Sequence, residues 1–167
     1  EYMPLRKLAE FVSPFAASVN DFKPGANFVA HTISGEQIAP IICYEIINDG
    51  LVRDSALKTG ALIVQTNSAT FANTAESAQQ LAITRIRAIE HSREILSVST
   101  VGISAFIDNN GVVNAQTEEN VSTSISGELA ISNHRTVSDR LGGVAPLLTL
   151  LVSLIFAVSR SPRKFAR

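Results

Sequence analysis

Cys43 is the side chain best suited to covalent chemistry in this sequence, and it is the one cysteine among 167 residues. It stands in the run Pro40-Ile41-Ile42-Cys43-Tyr44-Glu45, apolar before the thiol and polar after it. A thiolate attacks carbonyl carbon readily. A thiol with a free pKa of about 8.5 is mostly protonated at neutral pH, so a base must activate it. A lone cysteine also serves as a small buried hydrophobe. Position favours chemistry over packing, because Cys43 ends a predicted buried strand and precedes a short loop and helix, where a side chain is exposed above a rigid sheet. A packing cysteine has no need of Tyr44 and Glu45 beside it.

The remaining chemistry-bearing residues narrow the options. His31, His91 and His134 are far apart and show neither metal-ligand spacing nor a pattern that pairs them with Cys43, so no metal or other cofactor is expected. A single cysteine excludes an intrachain disulfide. The formal net charge is −1, and the dense basic cluster is confined to Arg160, Arg163, Lys164 and Arg167. With no tryptophan and 6% aromatics, the chain has neither the basic surface nor the stacking platform of a nucleic-acid binder.

Apolar residues make up 46% of the chain, enough for a folded domain. Strands are predicted over residues 27–33 and 37–43, joined by a turn at Ser34-Gly35-Glu36. Asp49 reads as the cap of a short helix, with Gly60 as its stop. Residues 61–65 read as a buried strand. The next helix is capped at Asn73 or Thr74, and Ala78, Leu81, Ala82, Ile86 and Ile89 make its apolar stripe, with Gln80, Thr84, Arg87 and His91 mostly off it. Arg87 and Glu90 read as an ion pair on the helix face. Strands follow over 95–100, 104–107 and 112–115, the last two around the turn Asp108-Asn109-Asn110-Gly111, and a final strand falls within 122–131. Strand–helix repetition with late hairpins gives a mixed sheet with helices packed on it.

Residues from Leu141 to Val158 carry no charge. That stretch of roughly 18 residues, about 27 Å as a helix, just spans a bilayer core. A buried core helix is the competing reading. The segment is apolar all round rather than striped, and the basic tail follows it at once. By the positive-inside rule that tail is cytoplasmic, and the preceding domain lies on the opposite side of the membrane.

In this setting Ile42-Cys43-Tyr44-Glu45-Ile46 resembles the nucleophile segment of the apolipoprotein N-acyltransferases of the nitrilase superfamily. Glu1-Tyr2-Met3-Pro4-Leu5-Arg6 resembles that family's G-E-Y-V-P-L-R segment. Thr66 to Phe71 takes the place of its asparagine-rich segment, with Ser68-Ala69-Thr70 departing from N-D-x-W. Gln79 to Arg93 resembles its Q-H-L-A…R-x-R-A-x-E-x-G-R helix, with Ser92 for the glycine. Val101 to Ala105 and the terminal apolar segment complete an ordered match along essentially the whole chain.

The resemblance implies a partial nitrilase-like α-β-β-α sandwich in residues 1–131, a linker at 132–140, a transmembrane helix at 141–159 and a basic cytoplasmic tail at 160–167. It implies a bacterial inner-membrane enzyme with an extracytoplasmic catalytic domain. Cys43 takes the role of the family's nucleophile. Glu1, Tyr44 and Glu45 take supporting positions, with Glu45 holding either the elbow backbone or a cation, unless it is a solvated loop carboxylate. Asn67 and Phe71 fall where substrate binds, although Asn67 reads equally as a turn residue. The family's lysine and glutamate partners are expected upstream of Glu1, which opens the sequence as if inside a longer chain. Lys7 falls out of register with that lysine and reads as a surface residue.

The chemistry implied is two-step acyl transfer. A phospholipid donor acylates Cys43, and the amine of a diacylated apolipoprotein receives the acyl group. The alternatives are a membrane-tethered amidase or hydrolase of the same superfamily, with water as acceptor, a Cys–His enzyme using His31 or His91, and a catalytically silent domain.

Overall fold

The computed structural model describes residues 6–12, 25 and 27–160. Six strands form one sheet in sequential order. They are β1 (His31–Ile33), β2 (Glu36–Ile42), β3 (Ala61–Thr66), β4 (Ile95–Ser99), β5 (Ala105–Ile107) and β6 (Val113–Gln116). β2, β3 and β4 are parallel; β1 and the β5–β6 hairpin join antiparallel at the two edges. The helices are α1 (Arg6–Val12), α2 (Asp49–Lys58), α3 (Glu76–His91), α4 (Val137–Leu141) and α5 (Val144–Arg160). Parallel pairing needs crossovers, and α2 and α3 supply them. The carboxyl ends of β2, β3 and β4 therefore emerge along one edge, where ligands bind in open α/β sheets.

Ala39, Ile41, Leu62, Val64, Ile95, Ala105 and Ile107 are buried on one sheet face. With Ile46, Val52 and Ala88 they form the core. The alternate residues Pro40, Ile63, Leu96 and Phe106 are half-buried, and Ile42 and Val98 are exposed, so the opposite face is apolar but incompletely covered.

The burial of α3 reverses the face expected from its apolar stripe. Ile86 and Ile89 are exposed at 60% and 56%, and Ala78 and Ala82 also face outward, whereas Ser77, Gln80, Thr84, Arg87, Ala88 and His91 are buried. Leu81 alone of the stripe packs against the core. The buried set also follows helical spacing. Gln80, Thr84 and Arg87 donate to backbone carbonyls, with Thr66 Oγ1, Asp49 and Glu90 as further acceptors, and His91 Nδ1 bonds Asp139, while His91 Nε2 is buried with no hydrogen-bond partner. The helix start also differs from expectation. Glu76 is the first residue, and Thr74 Oγ1 accepts the Glu76 N–H at 3.3 Å from outside the helix. In α2 the cap is Asn48, whose Oδ1 accepts from Leu51 N at 3.1 Å, while Asp49 pairs with Arg87.

Gly60 has a steric reason to be glycine. A Cβ there would lie 2.2 Å from Cγ2 of Ile131. Residues 121–135 contain no strand, contrary to the one expected within 122–131. This segment attaches by single bonds instead of a ladder: Ala130 N donates to Glu94 Oε2 (2.7 Å) and Ser132 N to the Gly60 carbonyl (3.0 Å).

The segment read as a linker carries α4, which docks on α2 and α3. His91 Nδ1–H donates to Asp139 Oδ1 at 2.7 Å, and both side chains are buried. Arg53 donates to the Asp139 carbonyl through Nε and Nη2 (3.0 and 2.6 Å). Burial alone would raise the Asp139 pKa, but hydrogen bonds from His91 and Thr136 outweigh it and hold the carboxyl below its ordinary value. Arg93, 1% exposed, donates to the carbonyls of Ala56 and Thr59 at the end of α2 and of His91 and Ser92 at the end of α3. It also reaches the His134 carbonyl at 2.8 Å. One cation thus meets the negative ends of two helices, although its burial lowers its pKa.

Gly142, at φ +50°, ends α4 against the Arg53 guanidinium, so the apolar helix begins at Val144 rather than 141. Pro146 falls in the first turn of α5, where no intrahelical N–H bond is lost. The 17 residues of α5 extend about 25 Å, and its large apolar side chains from Leu147 to Val158 are exposed. No helix among the described residues is long and apolar enough to cross a membrane. The basic tail after Arg160 lies outside the described residues.

Candidate active site

β2 ends in an abrupt change of backbone direction. Cys43 has φ +49°, in the left-handed region, and opens a 3₁₀ turn over Cys43–Ile47. For a residue with a Cβ that conformation costs roughly 1–2 kcal/mol, and it persists where surrounding contacts over-determine it. The contacts are specific. The Glu45 carboxylate accepts the Ile42 N–H at 2.8 Å, bracing the turn from within. Gln80 Nε2 on α3 donates to the Cys43 carbonyl at 3.2 Å and to Thr66 Oγ1. Two turns along the same helix, Arg87 Nε donates to the Ile46 carbonyl (2.9 Å) and Nη2 to that of Ile47 (3.0 Å). The Glu45 carbonyl accepts from Asn48 N at 2.9 Å.

The inward polar face of α3 thus holds the elbow at both ends. Arg87 itself pairs with Asp49 and with Glu90 (2.6 Å). Desolvation works against its charge, but those two carboxylates more than compensate and raise its pKa. Arg87 and Glu90 do form the expected i,i+3 pair, but Arg87 is buried rather than displayed on the surface.

The thiol is half-buried. Tyr44 and Glu45 are exposed beside it. Of the roles open to Glu45, the structure gives it the backbone contact. Phe71 is 51% exposed, on a short turn after β3. Asn67 Oδ1 accepts from Ala69 N (3.2 Å) and from Thr100 Oγ1 (2.9 Å), which is a turn function. Lys7 is exposed on α1, and Glu1 lies outside the described residues.

A hydroxyl cluster lies behind the elbow. Ser68 Oγ and Ser99 Oγ are 3.1 Å apart, and Ser99 Oγ accepts the Gly102 N–H at 3.0 Å. A Cβ on Gly102 would meet the hydroxyls of Ser77 and Ser99 at 2.7 Å, so a glycine is required for their approach. A cavity of about 10 Å³ opens here, lined by Thr66, Ser68, Ser77, Gln80, Ser97 and Ser99 among others. That is room for about one water molecule. Ser97 and Ser99 alternate along β4, and Thr66 ends β3 with Ser68 two residues beyond it; that spacing of hydroxyls was the available sequence signal. Gln80 was readable only once its helix face was known.

Comparison with known proteins agrees with the α/β fold. A family model described as carbon-nitrogen hydrolase matches residues 6–138. An apolipoprotein N-acyltransferase of Mycolicibacterium smegmatis is 30% identical over 175 residues, covering 100% of this chain and 29% of that protein. One from Haemophilus influenzae is 31% identical over 170 residues, covering 100% and 32%. The chain therefore spans about a third of the length of the curated relatives it matches. Among solved structures, an amidase from Nesterenkonia sp. AN1 with acrylamide added at its active site cysteine is similar at TM-score 0.53 and 16% identity, over 78% of this chain and 51% of that one. A glutamine-dependent NAD+ synthetase from Acinetobacter baumannii gives TM-score 0.54 at 17% identity, over 61% and 21%. At these identities the structures speak to the fold alone.

Proposed function

This chain belongs to the carbon-nitrogen hydrolase family, and we propose that it is part of an acyltransferase that N-acylates bacterial lipoproteins, with Cys43 as the acyl-accepting nucleophile. The observation that carries the reading is the left-handed elbow at Cys43, built on the chain's one cysteine at the carboxyl edge of the parallel strands. Similarity to named apolipoprotein N-acyltransferases over the full chain supports the acyl-transfer branch of the chemistry over hydrolysis.

In the proposed reaction a base takes the Cys43 proton, and the thiolate attacks an ester carbonyl of a membrane phospholipid. A positive donor stabilises the oxyanion. The C–O bond breaks, the lysophospholipid leaves with a proton, and a thioester remains on Cys43. The free α-amine of a diacylglyceryl-cysteine at an apolipoprotein N-terminus then attacks the thioester carbon. The C–S bond breaks, the base takes the amine proton and passes it to sulfur, the amide forms, and the thiol is regenerated. The family resemblance supplies the base as a glutamate and the oxyanion donor as a lysine, from sequence other than these 167 residues. Tyr44, exposed next to Cys43 in sequence, is assigned a supporting place beside the nucleophile, and Asn67 and Phe71, on the turn after β3, are assigned to the substrate-binding side of the site. Glu1 is assigned a supporting place beside the lysine.

The exposed apolar helix α5 is read as the membrane attachment, since a helix bare of polar cover on every side is costly in water. The basic tail is read as cytoplasmic and the α/β body as extracytoplasmic. The half-covered second face of the sheet is the surface that a second sheet would cover in an α-β-β-α sandwich.

The test uses membranes carrying the full-length protein, with and without Cys43→Ala. After incubation with a phospholipid labelled in its acyl chain, mass spectrometry reads the Cys43 peptide. The expected result is a hydroxylamine-labile acyl group on the wild type that a diacylated lipopeptide discharges. Absence of any adduct on the wild type would overturn the reading. Discharge by water but not by the lipopeptide would make the protein a hydrolase.

A further inference from the structure

The elbow bonds described above leave a question of purpose, because two of the largest polar side chains of α3 are buried to reach it. Gln80 is 8% exposed and Arg87 is 8% exposed. Burying polar groups is unfavourable unless each is satisfied, and a helix of this kind packs more simply with apolar residues inward. α3 has those residues and turns them outward at Ile86 and Ile89. We propose that Gln80 and Arg87 are positioning residues for the acylation of Cys43, holding the elbow backbone so that the sulfur meets the ester carbonyl at the productive distance and angle. The inference rests on the reading of Cys43 as the acyl-accepting nucleophile.

The geometry divides the task. Gln80 Nε2 contacts both the Cys43 carbonyl and Thr66 Oγ1, so both its hydrogens are committed and the amide cannot turn. It ties the nucleophile's own peptide unit to the end of the adjacent strand β3. Arg87 holds the far end of the elbow at the Ile46 and Ile47 carbonyls, and its own orientation is fixed by Asp49 and Glu90. A planar fork with several fixed donors can do this; a lysine with one nitrogen cannot span the same set. Neither side chain needs to touch the lipid. Their effect falls on the rate of thioester formation once lipid is bound, because a misplacement of about 1 Å at the reacting atom can cost about a hundredfold.

The experiment is single-turnover acylation of Cys43 in the full-length protein, by labelled phospholipid of varied surface concentration, with thermal unfolding followed in parallel. Gln80→Met keeps the bulk and removes the donor. It is expected to slow acylation at saturating lipid by about tenfold or more, with the half-saturating lipid concentration changed by less than about twofold. Arg87→Lys keeps the charge facing Asp49 and Glu90 and is expected to lose rate in the same way. Gln80→Glu is the second test, and it is nearly isosteric. As an ionised carboxylate it cannot donate to the Cys43 carbonyl; protonated, it can. Its deficit relative to the wild type is expected to narrow as pH falls, a signature that a packing role does not produce.

Alkylation of Cys43 by iodoacetamide serves as the control for thiol access. A small reagent attacks from many angles, so its rate in folded variants should stay within about threefold of wild type. Variants that acylate at the wild-type rate would overturn the proposal while leaving Cys43 as nucleophile. A Gln80→Glu deficit that does not change with pH would also overturn it. A wild type that forms no adduct would overturn the underlying reading, and this inference with it.

Discussion

Replacing Cys43 with glycine should give a more stable protein than replacing it with alanine, the reverse of the usual order. Both variants lose the same thiol, so its packing and any chemistry cancel in the comparison. What differs is the backbone. At φ +49° an alanine pays about 1–2 kcal/mol that a glycine does not. Glycine loses more freedom on folding, worth about 0.5–1 kcal/mol against it. The difference leaves Cys43→Gly ahead by about 0.5–1 kcal/mol, or roughly 1–4 °C in unfolding midpoint for a domain of this size. Ala78→Gly, on the exposed face of α3, is the internal control and should destabilise by about 1 kcal/mol. Urea unfolding with equal slopes for the variants measures all of these. If Cys43→Gly falls below Cys43→Ala by as much as Ala78→Gly falls below wild type, Cys43 has an ordinary backbone and the elbow argument is refuted.

Two further predictions concern the scaffold. Arg93→Met removes the donor shared by five carbonyls at the ends of α2 and α3 and at His134. With about 1–3 kcal/mol for each buried acceptor left unpaired and partial relaxation, a loss of at least about 3 kcal/mol is expected in thermal or urea unfolding; a loss under about 1 kcal/mol would mean that those carbonyls find other donors. The second concerns acid. The folded Asp139 carboxyl is more acidic than in the unfolded chain, so the folded state binds fewer protons. Its contribution is present above the unfolded value of about pH 4 and is lost as pH falls through the lower folded pKa. The stability gap between wild type and Asp139→Asn should therefore be constant near neutrality and shrink below about pH 4, as urea midpoints across pH would show. A gap that widens in acid would contradict the sign.

The sequence by itself determined the order of the elements and the identity of the nucleophile candidate. Strand periodicity, turn residues and the apolar run before Cys43 are local signals, and β2, β3, β4 and the hairpin lie within a few residues of the predicted segments. The expected strand within 122–131 failed because no strand pairs with it: Ala130 N is held by the Glu94 side chain, and just beyond it Ser132 N by the Gly60 carbonyl, partners far away in sequence. Gly60 was readable as a helix stop, but its steric need arises from Ile131, also far away. The largest misreading was the face of α3. Hydrophobic periodicity assigns Ile86 and Ile89 inward, on the premise that burial follows apolarity. The tertiary structure sets Gln80 and Arg87 inward instead, because the carbonyls of a left-handed elbow need donors and α3 is the element that passes beneath them. The chain's local chemistry therefore announces the thiol. Only the packing of α3 against the end of β2 decides what holds that thiol in place, since an unpaired carbonyl at residue 43 or 46 leaves no trace in a sequence.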